Sequence, residues 1–232
     1  AKGIGKVVDV GADMPSSKMA LELAKQYEFV YAALGVHPSE VEGLTEDDMA
    51  WISSHAAHEK VAAIGEIGLD YHWPEPKPAL QKQWFRRQIE LAKEVKLPII
   101  VHSRDAAEPT MQIIQETKAY ECGGVIHCYS YSPEMAEEYV KMGFFIGMGG
   151  VLTFKNAKKL VRCAERIPLS SIVLETDCPY MAPEPNRGKR NDSSQLIYVA
   201  QKLAEIKGIT AEEVKQVTTE NAHRLYRLTQ NK

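Results

Sequence analysis

Glu66, His102 and His127 each stand just after a short apolar run, Ala63-Ile64-Gly65, Ile99-Ile100-Val101 and Val125-Ile126, and Asp177 follows Leu174-Glu175-Thr176 where another strand-like run ends. Imidazoles with carboxylates make a mixed nitrogen and oxygen donor set, the kind that holds a catalytic divalent cation. Taken singly, each residue has a plainer reading. A histidine at a strand end commonly just satisfies a hydrogen bond, and a carboxylate there commonly caps the next helix. Recurring at successive run ends, they point to a shared site if the runs converge. Four further residues read either as site residues or more plainly, His37 as a turn residue and Arg104, which could grip an anionic substrate, as one end of a surface salt bridge. His37, in Gly35-Val36-His37-Pro38, is biased toward extended backbone by the following proline. Arg104, two residues beyond His102, offers a planar fork. Lys189 and Arg190 belong to the basic loop Arg187-Gly188-Lys189-Arg190, which reads either as solvated or as phosphate-facing. Tyr71 and Trp73 either line the mouth of a pocket or pack over helices, and His55, His58, His72 and His223 have no partner spacing.

The elements that must position these groups alternate. Strand-like runs occur at Lys6–Val10, Phe29–Gly35, Val61–Gly65, Pro98–Val101, Gly124–Ile126, Phe144–Met148 and Ile172–Leu174, apolar on both faces as in a covered parallel sheet. Helical periodicity lies between them, at Ser17–Tyr27 and at Leu80–Lys96, where Leu80, Trp84, Leu91 and Val95 form a stripe widened by Phe85 and Ile89. Ser132-Pro133 reads as an N-cap with proline in the first turn, Thr210 and Glu213 have capping-box spacing, and the C-terminal stretch reads as helices.

Strand then helix, repeated, predicts an α/β protein. Gly11-Ala12-Asp13-Met14-Pro15 is no phosphate-binding loop, and chemistry gathers at several strand ends. Both favour a (β/α)8 TIM barrel over an open doubly wound sheet. Seven strands are counted where a barrel needs eight, and Ala1–Gly5 reads as the end of a helix, so the expectation is a barrel whose first strand–helix unit is missing from this chain. No linker interrupts residues 1–232, which read as a single domain.

Twenty-eight Lys and Arg against thirty-one Asp and Glu give a net charge of −3. A protein that coats nucleic acid by bulk charge is thereby excluded, though a local basic site is not. No apolar run reaches the roughly 20 residues needed to span a bilayer, and no signal peptide opens the chain. Cys122, Cys128, Cys163 and Cys178 contain no C-x-x-C pair, which removes a zinc ribbon and fits free thiols in a reducing cytoplasm.

The motifs together resemble the TatD-type metal-dependent hydrolases, a deoxyribonuclease family among the amidohydrolase-like TIM barrels. The matching strings are Gly35-Val36-His37-Pro38, Ile64-Gly65-Glu66-Ile67-Gly68-Leu69-Asp70-Tyr71, Val101-His102-Ser103-Arg104-Asp105, His127-Cys128-Tyr129-Ser130, Glu175-Thr176-Asp177-Cys178-Pro179-Tyr180 and Arg187-Gly188-Lys189-Arg190-Asn191, in family order. The resemblance implies that Glu66 bridges two divalent ions, that His102 and His127 ligate one of them, and that Asp177 is a ligand able to deprotonate water. It also implies that His37, Arg104, Lys189 and Arg190 lie near substrate phosphates. The family opens with a strand ending in His-x-His, which this sequence lacks. Tyr131 replaces the usual glycine, and Asp192-Ser193 the usual Glu-Pro.

The function this implies is hydrolysis of a phosphodiester by metal-activated water, with one or two ions of Mg, Mn or Zn, on DNA or RNA ends in the cytoplasm. No membrane and no obligate protein partner are expected. End-directed action is expected because no extended basic stripe is present to track a duplex. The rivals are a small-molecule amidohydrolase or phosphoesterase using the same ligands, and a non-catalytic barrel, which the lack of His-x-His favours.

Overall fold

The computed structural model describes residues 3–228, in which seven strands alternate with helices. They form two compact units, one of residues 5–125 and the other of residues 126–228 with 3–4. Ala1 and Lys2, in the expected helix end, lie outside the described residues; Gly3 has the positive φ of 80° that such an end would require.

In residues 5–125 the strands β1 (Val7–Val10), β2 (Val30–Leu34), β3 (Val61–Asp70) and β4 (Ile99–Arg104) pair in parallel, in sequence order. Helix α1 (Met14–Gln26) joins β1 to β2, α2 (Glu46–His55) joins β2 to β3, and α3 (Pro78–Val95) joins β3 to β4. The capping residues start these helices where the strands end. Asp13 accepts the Ser16 N–H and Thr45 the Asp48 N–H, each reciprocated as a capping box, a device worth about 1 kcal/mol. Lys96 closes α3 in the left-handed conformation, and α4 (Ala107–Glu116) follows β4.

Two strands outrun the sequence expectation. β3 continues through Asp70, so Glu66 lies within the strand rather than after it, and His102 lies within β4. The cause is pairing: after a register shift between Ile64 and Ile67, β3 resumes a ladder that sets Gly68 beside His102 and Asp70 beside Arg104. The glycines that look like a strand end are needed inside it. A Cβ on Gly68, whose φ is 151°, would stand 1.9 Å from the His102 carbonyl oxygen.

β5 (Gly124–Ile126) straddles the boundary between the units. In residues 126–228, β6 (Phe145–Met148) pairs in parallel with β7 (Ile172–Leu174). Helix α5 (Pro133–Lys141) begins at Ser132, which accepts the Met135 N–H, with proline in its first turn as the sequence predicts. After α6 (Lys158–Arg166) and α7 (Leu196–Lys207), Gly208 takes the left-handed cap, and Thr210 and Glu213 form the predicted capping box of α8 (Ala211–Leu225). Buried Asn221 ties α8 to β7 by donating to the Leu169 and Ile172 carbonyls. No helix among the described residues is long and apolar enough to cross a membrane.

Candidate functional site

Residues 5–125 gather His37, Glu66, Asp70 and His102. The His102 ring lies between two carboxylates, with Nδ1 2.7 Å from Glu66 Oε1 and Nε2 3.1 Å from Asp70 Oδ2. Strand alternation explains the grouping, since Glu66 and Asp70 are an even number of residues apart on β3. His37 meets the ring of His102 edge-on at 4.2 Å, and its Nε2 is 3.9 Å from Glu66 Oε1. His37 Nδ1 accepts the Ser39 N–H at 3.1 Å, which leaves the proton of the neutral ring on Nε2. Burial would raise the pKa of Asp70, but bonds from His102 and the His72 N–H, with the charges of His102 and His37, hold it below the ordinary carboxylate value. His37, Asp70 and His102 offer ligand atoms all within 4.8 Å of one another.

Helix α3 steadies this cluster with two buried glutamines, one on each of two turns of its inner face. Gln88 accepts the Val36 N–H at 2.8 Å and donates to the Val36 carbonyl at 3.0 Å, fixing the residue before His37. Gln81 accepts the Asp70 N–H and donates to the Asp70 and Pro76 carbonyls, each at 2.8 Å. Both glutamines are 1% exposed, so neither the side chains nor the main-chain groups they bind have water as a substitute.

Residues 126–228 gather His127, Cys128, Glu175 and Asp177. Glu175 receives two donors: His127 Nδ1 at 2.7 Å and the Cys128 N–H at 3.0 Å. With the proton on Nδ1, Nε2 of His127 faces Asp177, whose Oδ1 is 3.6 Å away. Two glycines of β6 and the loop after it leave room for the Glu175 carboxylate, since a Cβ on Gly147 would come within 2.4 Å of Oε2 and one on Gly149 within 3.3 Å of Oε1. The turn carrying Asp177, at φ 50°, is pinned by buried Asn191, which donates to the Thr176 and Tyr180 carbonyls at 2.5 and 2.7 Å. His127, Cys128 and Asp177 also bring ligand atoms within 4.8 Å of one another.

The sequence reading thus meets its partners within each unit: Glu66 with His102 and His37, and His127 with Asp177. Arg104 is exposed at the end of β4, beside Asp70 in register. Lys189 and Arg190 are exposed, Lys189 reaching Asn186 at 3.4 Å, and Arg187 stacks over Phe154 at 4.2 Å. His72 has a partner after all, Asp105 at 3.3 Å. The cysteines form no disulfide; Cys122 and Cys163 are buried, Cys178 exposed. Sequence reasoning left Asp70 and Glu175 without roles, although an acid two or four residues from an expected ligand acid was a usable signal. Gln81 and Gln88 carried no such signal.

Comparison with known proteins places the chain in a family. The family model described as TatD related DNase matches residues 1–227. The chain is 49% identical over 228 residues to YabD of Bacillus subtilis, an uncharacterized metal-dependent hydrolase, covering 98% of this chain and 89% of that protein. It is 36% identical to YcfH of Escherichia coli, of the same description, covering 98% and 85%. Among solved structures, the TatD homologue YjjV of Escherichia coli superposes with a TM-score of 0.92 at 31% identity, covering 98% of this chain and 88% of that one.

Proposed function

From the premise that the chain belongs to the TatD-related DNase family, we propose that it is a divalent-metal-dependent phosphodiesterase that removes nucleotides from DNA ends. Support for a hydrolase comes from relatives described as metal-dependent hydrolases. Support for DNA comes from the family description, and for end-directed action from the net charge of −3 with no extended basic stripe. The family match runs through residues 1–227, in keeping with a single catalytic domain. Free cysteines fit a cytoplasmic enzyme.

The proposed ligands are Glu66, His102, His127 and Asp177, holding one or two ions of Mg, Mn or Zn. The observation that carries the reading is that each histidine is already oriented by carboxylates: His102 by Glu66 and Asp70, His127 by Glu175. Such acid–imidazole pairs fix the tautomer and ring plane of metal ligands. A bound divalent ion supplies Lewis-acid polarisation of a phosphoryl oxygen and acidifies water. The chain's own groups do the rest. The Asp177 carboxylate takes a proton from the attacking water, whose oxygen forms the new bond to phosphorus. The bond to the leaving sugar oxygen breaks, and that oxygen takes a proton from water, to which Asp177 in turn returns the one it accepted. His37 donates from Nε2–H to a phosphate oxygen, and the cations Arg104, Lys189 and Arg190 neutralise the phosphate, which offsets the protein's net negative charge locally.

The test uses the full-length purified protein with linear and closed circular DNA, a panel of simple esters and amides, and metal analysis. Release of nucleotides from linear DNA, its loss on chelation, and a drop of roughly hundred-fold or more in Glu66→Gln and Asp177→Asn with melting unchanged are expected. Hydrolysis of the small substrates with DNA untouched would establish the amidohydrolase reading instead. Absence of both hydrolysis and stoichiometric metal would establish a binding protein.

A further inference from the structure

Trp73 lies in the segment that follows β3, three residues beyond Asp70, and is 57% exposed. The other two tryptophans are engaged: Trp84 is 7% exposed, and Trp51 stacks on His55 with Lys18 over its ring. Leaving the largest apolar side chain in water forfeits the free energy of burying it. The ring is not loosely held. It packs against His72 in a T-shape at 4.8 Å and 84°. The His72 N–H donates to Asp70 Oδ1 at 2.9 Å, the Tyr71 N–H donates to the Arg104 carbonyl at 2.9 Å, and Gln81 binds the carbonyls of both Asp70 and Pro76. The segment is therefore held at both ends: near β3 by the His72 N–H on the Asp70 carboxylate that also meets His102, and at Pro76 by Gln81, which binds the Asp70 main chain as well. Arg104, exposed and beside Asp70 in register, adds a cationic fork to the same strand ends.

We infer that Trp73 is a stacking platform for the base of the nucleotide whose phosphate meets Arg104. This rests on the reading of the protein as a DNA phosphodiesterase and names the residue that would recognise the base. An indole face accepts any base, which suits removal of nucleotides without regard to sequence, and a guanidinium one strand away supplies the phosphate contact that stacking lacks. Trp73 acts on binding, so its loss raises KM and leaves kcat in place.

The experiment measures release of the terminal nucleotide from two single-stranded oligonucleotides, identical except that one carries an abasic terminal residue. The wild-type protein is expected to show a KM roughly ten-fold lower for the intact end. Trp73→Ala removes that difference without changing kcat on the abasic substrate, and Trp73→Phe keeps part of it. A base dependence that persists in Trp73→Ala overturns the inference, as does a wild type indifferent to the base, or an equal loss on both substrates. Failure of the wild-type protein to cleave either oligonucleotide overturns instead the functional reading beneath it.

Discussion

Replacing Gln88 with leucine removes a side chain that touches no ligand, yet the structure predicts a large effect. Gln88 is 1% exposed and spans from α3 to the loop before His37 with one bond accepted and one donated, both to Val36. Leucine fills most of the volume but leaves the Val36 N–H and carbonyl buried without partners. Each orphaned group costs about 1–3 kcal/mol. The loop can shift and admit some water, so the lower half of the summed range applies, about 3 kcal/mol. For a chain of this size that is a fall in Tm of roughly 6–12 °C.

Gln88→Glu separates the hydrogen bonds from the packing. The new carboxylate can still accept the Val36 N–H, but it turns an oxygen toward the Val36 carbonyl, where the amide donates at 3.0 Å. Burial and that facing carbonyl raise the carboxyl's pKa in the folded state above its unfolded value. The penalty is then absent below the unfolded pKa and grows as pH rises through the folded one, so this variant gains stability relative to wild type on acidification. Thermal melts of both variants between acid and neutral pH are the assay, with KM on an oligonucleotide as a second readout because His37 is the next residue. A Gln88→Leu variant that melts within a degree or so of wild type, or a Gln88→Glu variant whose deficit ignores pH, would refute the reasoning.

Gly147→Ala places a Cβ where the Glu175 carboxylate now sits, 2.4 Å from Oε2. Glu175 must swing away from His127, and the expected result is a fall in divalent-metal affinity of roughly ten-fold with the fold retained, read by titration calorimetry; unchanged affinity would show that Glu175 does not orient the ring. Asp9, half-buried in β1, has its carboxyl raised above the ordinary 3.8 by burial, an effect the Val10 N–H partly offsets. A raised carboxyl makes ionisation costly in the folded chain, so Asp9→Asn should melt higher than wild type at neutral pH and lose that advantage as pH falls toward 3.8. A melting difference that stays constant with pH would count against burial as the cause.

The seven strands and the caps at Ser132 and Thr210 could be read from residue types because each depends on local or periodic information. What could not be read depends on main chain brought from elsewhere. Gln81 and Gln88 look like polar interruptions at the edge of an apolar stripe, because the groups that satisfy Gln88 lie fifty-two residues earlier. Leu80 and Val95, assigned to that stripe, are instead half-buried at its ends. The end of β3 differs for the same reason: the apolar run closes at Gly65, but with β4 alongside, the missing side chains of Gly65 and Gly68 become the condition for close approach. Asp70 and Glu175 are the subtler case. An acid that binds a cation and an acid that orients the histidine beside it are the same residue type at similar spacing. Only the nitrogen each one meets separates them. Glu175 takes Nδ1 of His127 and leaves Nε2 toward Asp177, whereas His102 has a carboxylate on each nitrogen. A cation that binds His102 must therefore displace either Glu66 or Asp70 from its nitrogen, and the carboxylate that stays becomes the orienting group.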